Sequence, residues 1–106
     1  MNSVPLACNM DVFTSAERDV HVRATLELYR TVQEIRESTN GYEFSFSNGS
    51  ETISQLAAFI SRERLCCPFL EFTLRIEPNG RPISLRLAGP EGTREFLREE
   101  FSEAFL

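Results

Sequence analysis

The residues able to do chemistry gather in one stretch, Glu63-Arg64-Leu65-Cys66-Cys67-Pro68-Phe69. Adjacent thiols are soft ligands, suited to mercury(II), arsenic(III), copper(I) and zinc(II). A bond between chain neighbours closes a strained ring, so the pair makes a poor structural disulfide. At about 100° per residue along a helix, Glu63 and Cys67 face each other as an i, i+4 pair. Both flank an apolar stripe of Ile53, Leu56, Ala57 and Ile60. Arg64 falls on that stripe, and Cys66 turns the other way, near Phe59. Arg64 favours a thiolate. Glu63 opposes one electrostatically but can accept a thiol proton. Charges at core-facing positions are costly unless paired, so Glu63 and Arg64 are expected to organise a half-buried polar site. The rival reading has the helix end protruding and the cysteines serving as small core residues.

Cys8 and His21 extend the set. Val4, Leu6, Cys8 and Met10 alternate, a short strand signal that turns Cys8 inward and that Pro5 weakens. Cys67 leans toward the helix–sheet interface from the other layer, so the two sulfurs can meet there. Three thiolates around one soft ion then become possible, or Cys8 is simply a small hydrophobe. His21, the only histidine, falls near the centre of the apolar face of the first helix. There it is a hydrogen-bonded structural residue, or else a fourth ligand or proton acceptor. The expected metal set is therefore Cys66, Cys67, Cys8 and His21. An odd count of three cysteines argues against a disulfide framework. A closed zinc site normally has paired ligand spacings, which are missing.

The elements that must position these residues follow from local signals. Thr14-Ser15-Ala16-Glu17 matches a capping box, opening a helix expected over residues 15–37 and stopped by Thr39-Asn40-Gly41. Tyr42, Phe44 and Phe46 alternate with polar residues as a strand. Ser50 can cap a second helix over residues 51–66 or 51–67, which Pro68 closes. Residues 70–76 and 83–88 alternate as two strands around the hairpin signal Pro78-Asn79-Gly80-Arg81. Gly89-Pro90-Glu91 opens a last helix to residue 105. The order is β-α-β-α-β-β-α. It predicts an α+β fold, a two-layer α/β sandwich with a mixed four-stranded sheet and helices mainly on one face. The strands flanking the second helix should run parallel with a right-handed crossover.

Composition bounds the rest. The chain has 106 residues, fitting a single domain over 1–106 with a core rich in its nine phenylalanines. A net charge of -5 disfavours a nucleic-acid grip or an anionic-membrane patch. All basic residues are arginine, which excludes a Schiff-base or phosphate-loop lysine. No stretch approaches the roughly 20 apolar residues of a membrane span, and the start lacks a signal-peptide pattern. A cytoplasmic location is expected. Phe96, Phe101, Phe105 and Leu106 are much apolar surface for a terminal element, so a homodimer is expected too.

The stretch from Phe59 to Phe72, followed by Ser84-Leu85-Arg86-Leu87-Ala88-Gly89-Pro90-Glu91-Gly92, resembles a group of small, poorly characterised bacterial proteins. Their signature is a helix ending in Glu-x-x-Cys-Cys-Pro-Phe and a later Gly-Pro-x-Gly. The resemblance spans residues 8–97. Similar segments occur in proteins associated with heavy-metal response, particularly to mercury. The resemblance implies a soft-metal role for Cys66 and Cys67, with Glu63 as the acid of the motif. The expected function is a small thiol-bearing domain that binds a soft metal or metalloid through vicinal cysteines. The alternatives are a thiol redox or sulfur-transfer enzyme, and a structural or dimerisation domain with packing cysteines.

Overall fold

The structure, a computed structural model, describes residues 6–105. Val4 and Pro5 of the expected first strand, and Leu106 of the expected dimer surface, lie outside these residues. Residues 6–9 form no strand; they lead into a 3-10 turn, Met10–Val12. Helix α1 (Ser15–Tyr29) opens on the capping box: Glu17 N–H donates to Thr14 Oγ1 at 3.1 Å, and Thr14 N–H to Glu17 Oε1 at 2.8 Å. That bond holds the exposed Glu17 carboxyl below its ordinary range. Thr14→Ala leaves an orphan N–H at the helix start and is expected to cost about 1 kcal/mol, read from the urea midpoint at unchanged slope.

The expected continuation of this helix to residue 37 is wrong. The helix ends at Tyr29, and residues Glu34–Ser38 form strand β1, paired antiparallel with β2 (Gly41–Phe46). Leu28, Val32 and Ile35 fit a helical stripe, but Thr31, Val32 and Ile35 are β-branched and suit a pleated surface. Pairing decides it: Ile35 lies opposite the fully buried Phe44. Asn40, at φ 51°, turns the chain between Ser38 and Gly41. An Asn-Gly step serves a helix stop and a hairpin equally well.

Helix α2 (Ser50–Cys66) then crosses to β3 (Glu71–Arg75), and β3 returns through Asn79 and Gly80, both at positive φ, to β4 (Ile83–Ala88). The fold is α+β, with a four-stranded sheet in the order β1-β2-β4-β3. The expected mixed sheet is corrected: every hydrogen-bonded pair is antiparallel. Strands β2 and β3 do run the same way, as a crossover through α2 requires, but β4 inserts between them. Helix α3 (Thr93–Glu100) ends early, and a 3-10 turn, Ser102–Phe105, follows it.

Tyr42, Phe44 and Phe46 of β2 and Ile83, Leu85 and Leu87 of β4 share one buried sheet face. Against it pack Leu28 and Tyr29 of α1, Leu56 and Phe59 of α2, and Leu97 of α3. Tyr29 stacks on Phe101 at 4.5 Å and meets Phe44 and Phe59 edge-on at 5.2 and 5.3 Å. The phenylalanines of α3 and the turn after it are engaged within the chain: Phe101 is buried here, Phe96 meets Phe69 at 5.0 Å, and Phe105 meets Tyr42 at 4.8 Å. The opposite sheet face carries charge, including the Arg86–Glu71 pair at 3.5 Å. Among the described residues no helix is long and apolar enough to cross a membrane.

Candidate metal centre

The inward line of α2 is Leu56, Phe59, Glu63 and Cys66, at steps of three and four residues. Ile53 and Ile60 sit at its edge and Ala57 is exposed. The helix is thus rotated from the phase that aliphatic residues alone suggest. Phe59 claims the core, and the polar Glu63 and Cys66 follow it on the same side. Cys66 is on the side of Phe59, as its spacing requires, but that side faces inward. The Arg64 side chain is exposed and, among the described residues, makes no hydrogen bond or ion pair.

Pro68 keeps Cys67 out of helical angles. Cys67 caps α2 at φ -123°, ψ 71°, its N–H donating to the Glu63 carbonyl at 2.8 Å. The turn brings its sulfur back beside the helix. The last carbonyls of a helix need outside donors, and Asn9 N–H supplies one to the Cys66 carbonyl at 2.8 Å. That backbone bond docks the segment before α1 onto the end of α2 and delivers Cys8 to the cysteine pair. Cys8 and Cys67, 59 residues apart in sequence, have Cα atoms 4.7 Å apart and are joined by a disulfide, while Cys66 is free. The expectation of no disulfide rested on an odd count, which tertiary contact overrides by leaving one thiol over.

One carboxylate oxygen is the hub. Glu63 Oε1 accepts from the Cys66 thiol at 2.9 Å and lies 3.6 Å from Cys67 Sγ and 3.9 Å from Cys8 Sγ. A disulfide sulfur carries no proton, so the last two are contacts and the first is a hydrogen bond. His21 Nε2 is 3.3 Å from the same oxygen and 4.0 Å from Cys66 Sγ. Arg62 Nε–H donates to His21 Nδ1 at 3.0 Å. Arginine has donors only, so Nδ1 is the acceptor, the ring proton sits on Nε2, and Nε2–H donates to Glu63. A chain Arg62–His21–Glu63–Cys66 results, giving a carboxylate that is only 2% exposed hydrogen-bond donors from His21 and Cys66.

Burial, and next the hydrogen bond to Glu63, push the Cys66 thiol far above its ordinary range. Burial, with the Glu63 charge nearby, also raises the Glu100 carboxyl. A cleft of about 100 Å³ between α1 and the end of α3, lined by Met10, His21, Thr25, Glu63, Glu100 and Phe101, reaches the hub from the surface.

The ligand atoms of Cys8, Glu63, Cys66 and Cys67 all lie within 4.8 Å of one another, a group that can hold a metal ion. Three of these were expected as ligands. Glu63 was expected to organise the site, and its carboxylate stands among the donor atoms. His21 stands beside the group, with Nδ1 taken by Arg62. Arg64 is exposed and takes no part in it, and Arg62, two residues earlier, holds the organising position expected of Arg64. Nothing local singles out Arg62, whose partner lies on another helix. Once the Cys8–Cys67 disulfide is reduced, three thiol sulfurs and one carboxylate oxygen form a donor set suited to a thiophilic cation. No protein-family model, curated protein or solved structure matches the chain.

Proposed function

We propose that this domain, with its cysteines reduced, binds one soft metal or metalloid ion through Cys8, Cys66 and Cys67. The observation that carries the reading is the convergence of three sulfurs and the Glu63 carboxylate within 4.8 Å at a buried helix end. Soft thiolates select ions such as mercury(II) and arsenic(III) over hard cations. Gathering three thiolates around a carboxylate costs Coulomb repulsion, which a multiply charged cation offsets. The Arg62–His21 pair orients Glu63, much as hydrogen bonds beside a metal ligand fix its geometry. Cys66 and Cys67 are fully buried, so a bound ion is shielded from water and from competing ligands. Zinc(II) and copper(I), which thiolates also bind, are the competitors to test.

Titration of the reduced chain with mercury(II) or arsenite in excess small thiol, read by native mass, is expected to give one ion per chain. Cys8→Ser, Cys66→Ser and Cys67→Ser should each weaken binding more than about 100-fold, beyond what changes next to a ligand produce. Unchanged stoichiometry and affinity in the Cys66→Ser/Cys67→Ser double variant would overturn the proposal.

A further inference from the structure

The ion reading needs three free thiols, yet two of them are joined in the structure. We propose that the site has a second, redox activity: Cys8 and Cys67 cycle between dithiol and disulfide by exchange with low-molecular-weight disulfides, and the disulfide form is closed to soft ions. The exclusion of the ion rests on the ion-binding reading; the redox cycle stands without it.

Placement assigns the roles. Cys8 is half-buried on an extended segment, whereas Cys66 and Cys67 are fully buried. A small disulfide, RSSR, therefore meets Cys8 first. The Cys8 thiolate attacks one sulfur of RSSR, forming Cys8–S–SR and releasing one RS⁻. The sulfur of Cys67 then attacks Cys8 Sγ, forming the Cys8–Cys67 bond and releasing the second RS⁻. Two electrons pass from the two protein thiols to RSSR, and the two thiol protons end on two RSH. Glu63 Oε1, 3.6 Å from Cys67 Sγ, is the nearest acceptor for the proton of Cys67. The third sulfur stays out of the cycle. Cys66 Sγ is 3.8 Å from Cys67 Sγ, close enough to compete, but the product would be a bond between chain neighbours. Cys66 is also fully buried and its sulfur is engaged with Glu63 Oε1 at 2.9 Å.

Mutual exclusion follows from valence. The disulfide consumes two of the three thiolates and leaves one sulfur and one carboxylate, Cys66 and Glu63. Oxidation therefore expels a bound ion, and the ion protects the dithiol from oxidation.

The test exposes the reduced full chain to glutathione disulfide, quenches with acid, alkylates, and counts modified cysteines by mass. Alkylation is expected to fall from three cysteines to one, Cys66, with Cys8 and Cys67 linked in the peptide map and no glutathione retained. Cys66→Ser should still form the link. Arsenite retention should vanish on oxidation and return after reduction and removal of the reductant. A stable glutathione adduct on Cys8, a Cys66–Cys67 linkage, or three alkylatable cysteines after prolonged exposure each overturns the redox activity. Equal arsenite retention by oxidised and reduced chains overturns the exclusion. If the link forms and reopens but the reduced chain retains no arsenite, the redox activity stands and the ion-binding reading falls.

Discussion

Glu63→Ala is expected to destabilise the domain by about 3 kcal/mol, while Arg64→Gln changes it by less than about 0.5 kcal/mol. Both residues are charged and adjacent in sequence, so the contrast isolates placement. Removing the carboxylate leaves His21 Nε2–H, at a residue that is 4% exposed, without its acceptor, and the fully buried Cys66 thiol with only the longer bond to the Glu63 carbonyl at 3.5 Å. Unsatisfied buried donors cost about 1–3 kcal/mol each, and the vacated side-chain volume adds a cavity. Glu63→Gln keeps the shape and one acceptor oxygen and should fall between the two. Denaturant midpoints with unchanged slopes measure all three. In the ion titration, Glu63→Ala should weaken binding at least about 10–100-fold even where the protein remains folded, and Arg64→Gln should leave it unaltered. Flat results for Glu63→Ala in both assays would mean that no polar site exists at this helix end and that the cysteines are packing residues.

Gly41→Ala is expected to cost about 3 kcal/mol or more, although it adds one methyl at an ordinary-looking strand position. The conformation of Gly41 is not the reason. A β-carbon there would overlap the Leu87 carbonyl oxygen and come within 2.8 Å of Ala88 Cα. Both are backbone atoms of β4, the partner strand, and no rotamer relieves the clash. Strand β4 must shift, loosening the Gly41↔Ala88 pairing and the register behind it. Gly80→Ala provides the opposite case. Gly80 sits at φ +67° with open space around it, so only conformational strain of about 1–2 kcal/mol is at stake. A smaller loss for Gly41→Ala than for Gly80→Ala, in matched urea unfolding, would show that β2 and β4 do not approach as described.

Much of this protein is legible one short window at a time. The capping box at Thr14, the proline stop after Cys67, the alternation in β2, β3 and β4, and the Asn79-Gly80 turn each act over a few residues, and each is found where those signals point. The adjacent cysteines beside Glu63 were legible in the same way, from helical spacing, whereas Cys8 reaches Cys67 from a segment that forms no strand, docked by the Asn9 N–H on the Cys66 carbonyl. Other features depended on competition between distant parts. Residues 34–38 fit a helix until β2 offers a hydrogen-bonding edge and Phe44 a buried neighbour for Ile35. The order β1-β2-β4-β3 follows from which edges meet after collapse, and no local pattern encodes that. The phase of α2 turned on Phe59 filling the core, which carried Glu63 and Cys66 inward and Arg64 out to water. Arg62 became an organiser only because α1 lays His21 against it. Caps, turns and periodicities are short-range preferences of the backbone, set by neighbours in sequence. A buried charge, a third thiol and a disulfide need partners dozens of residues away, and packing alone supplies them.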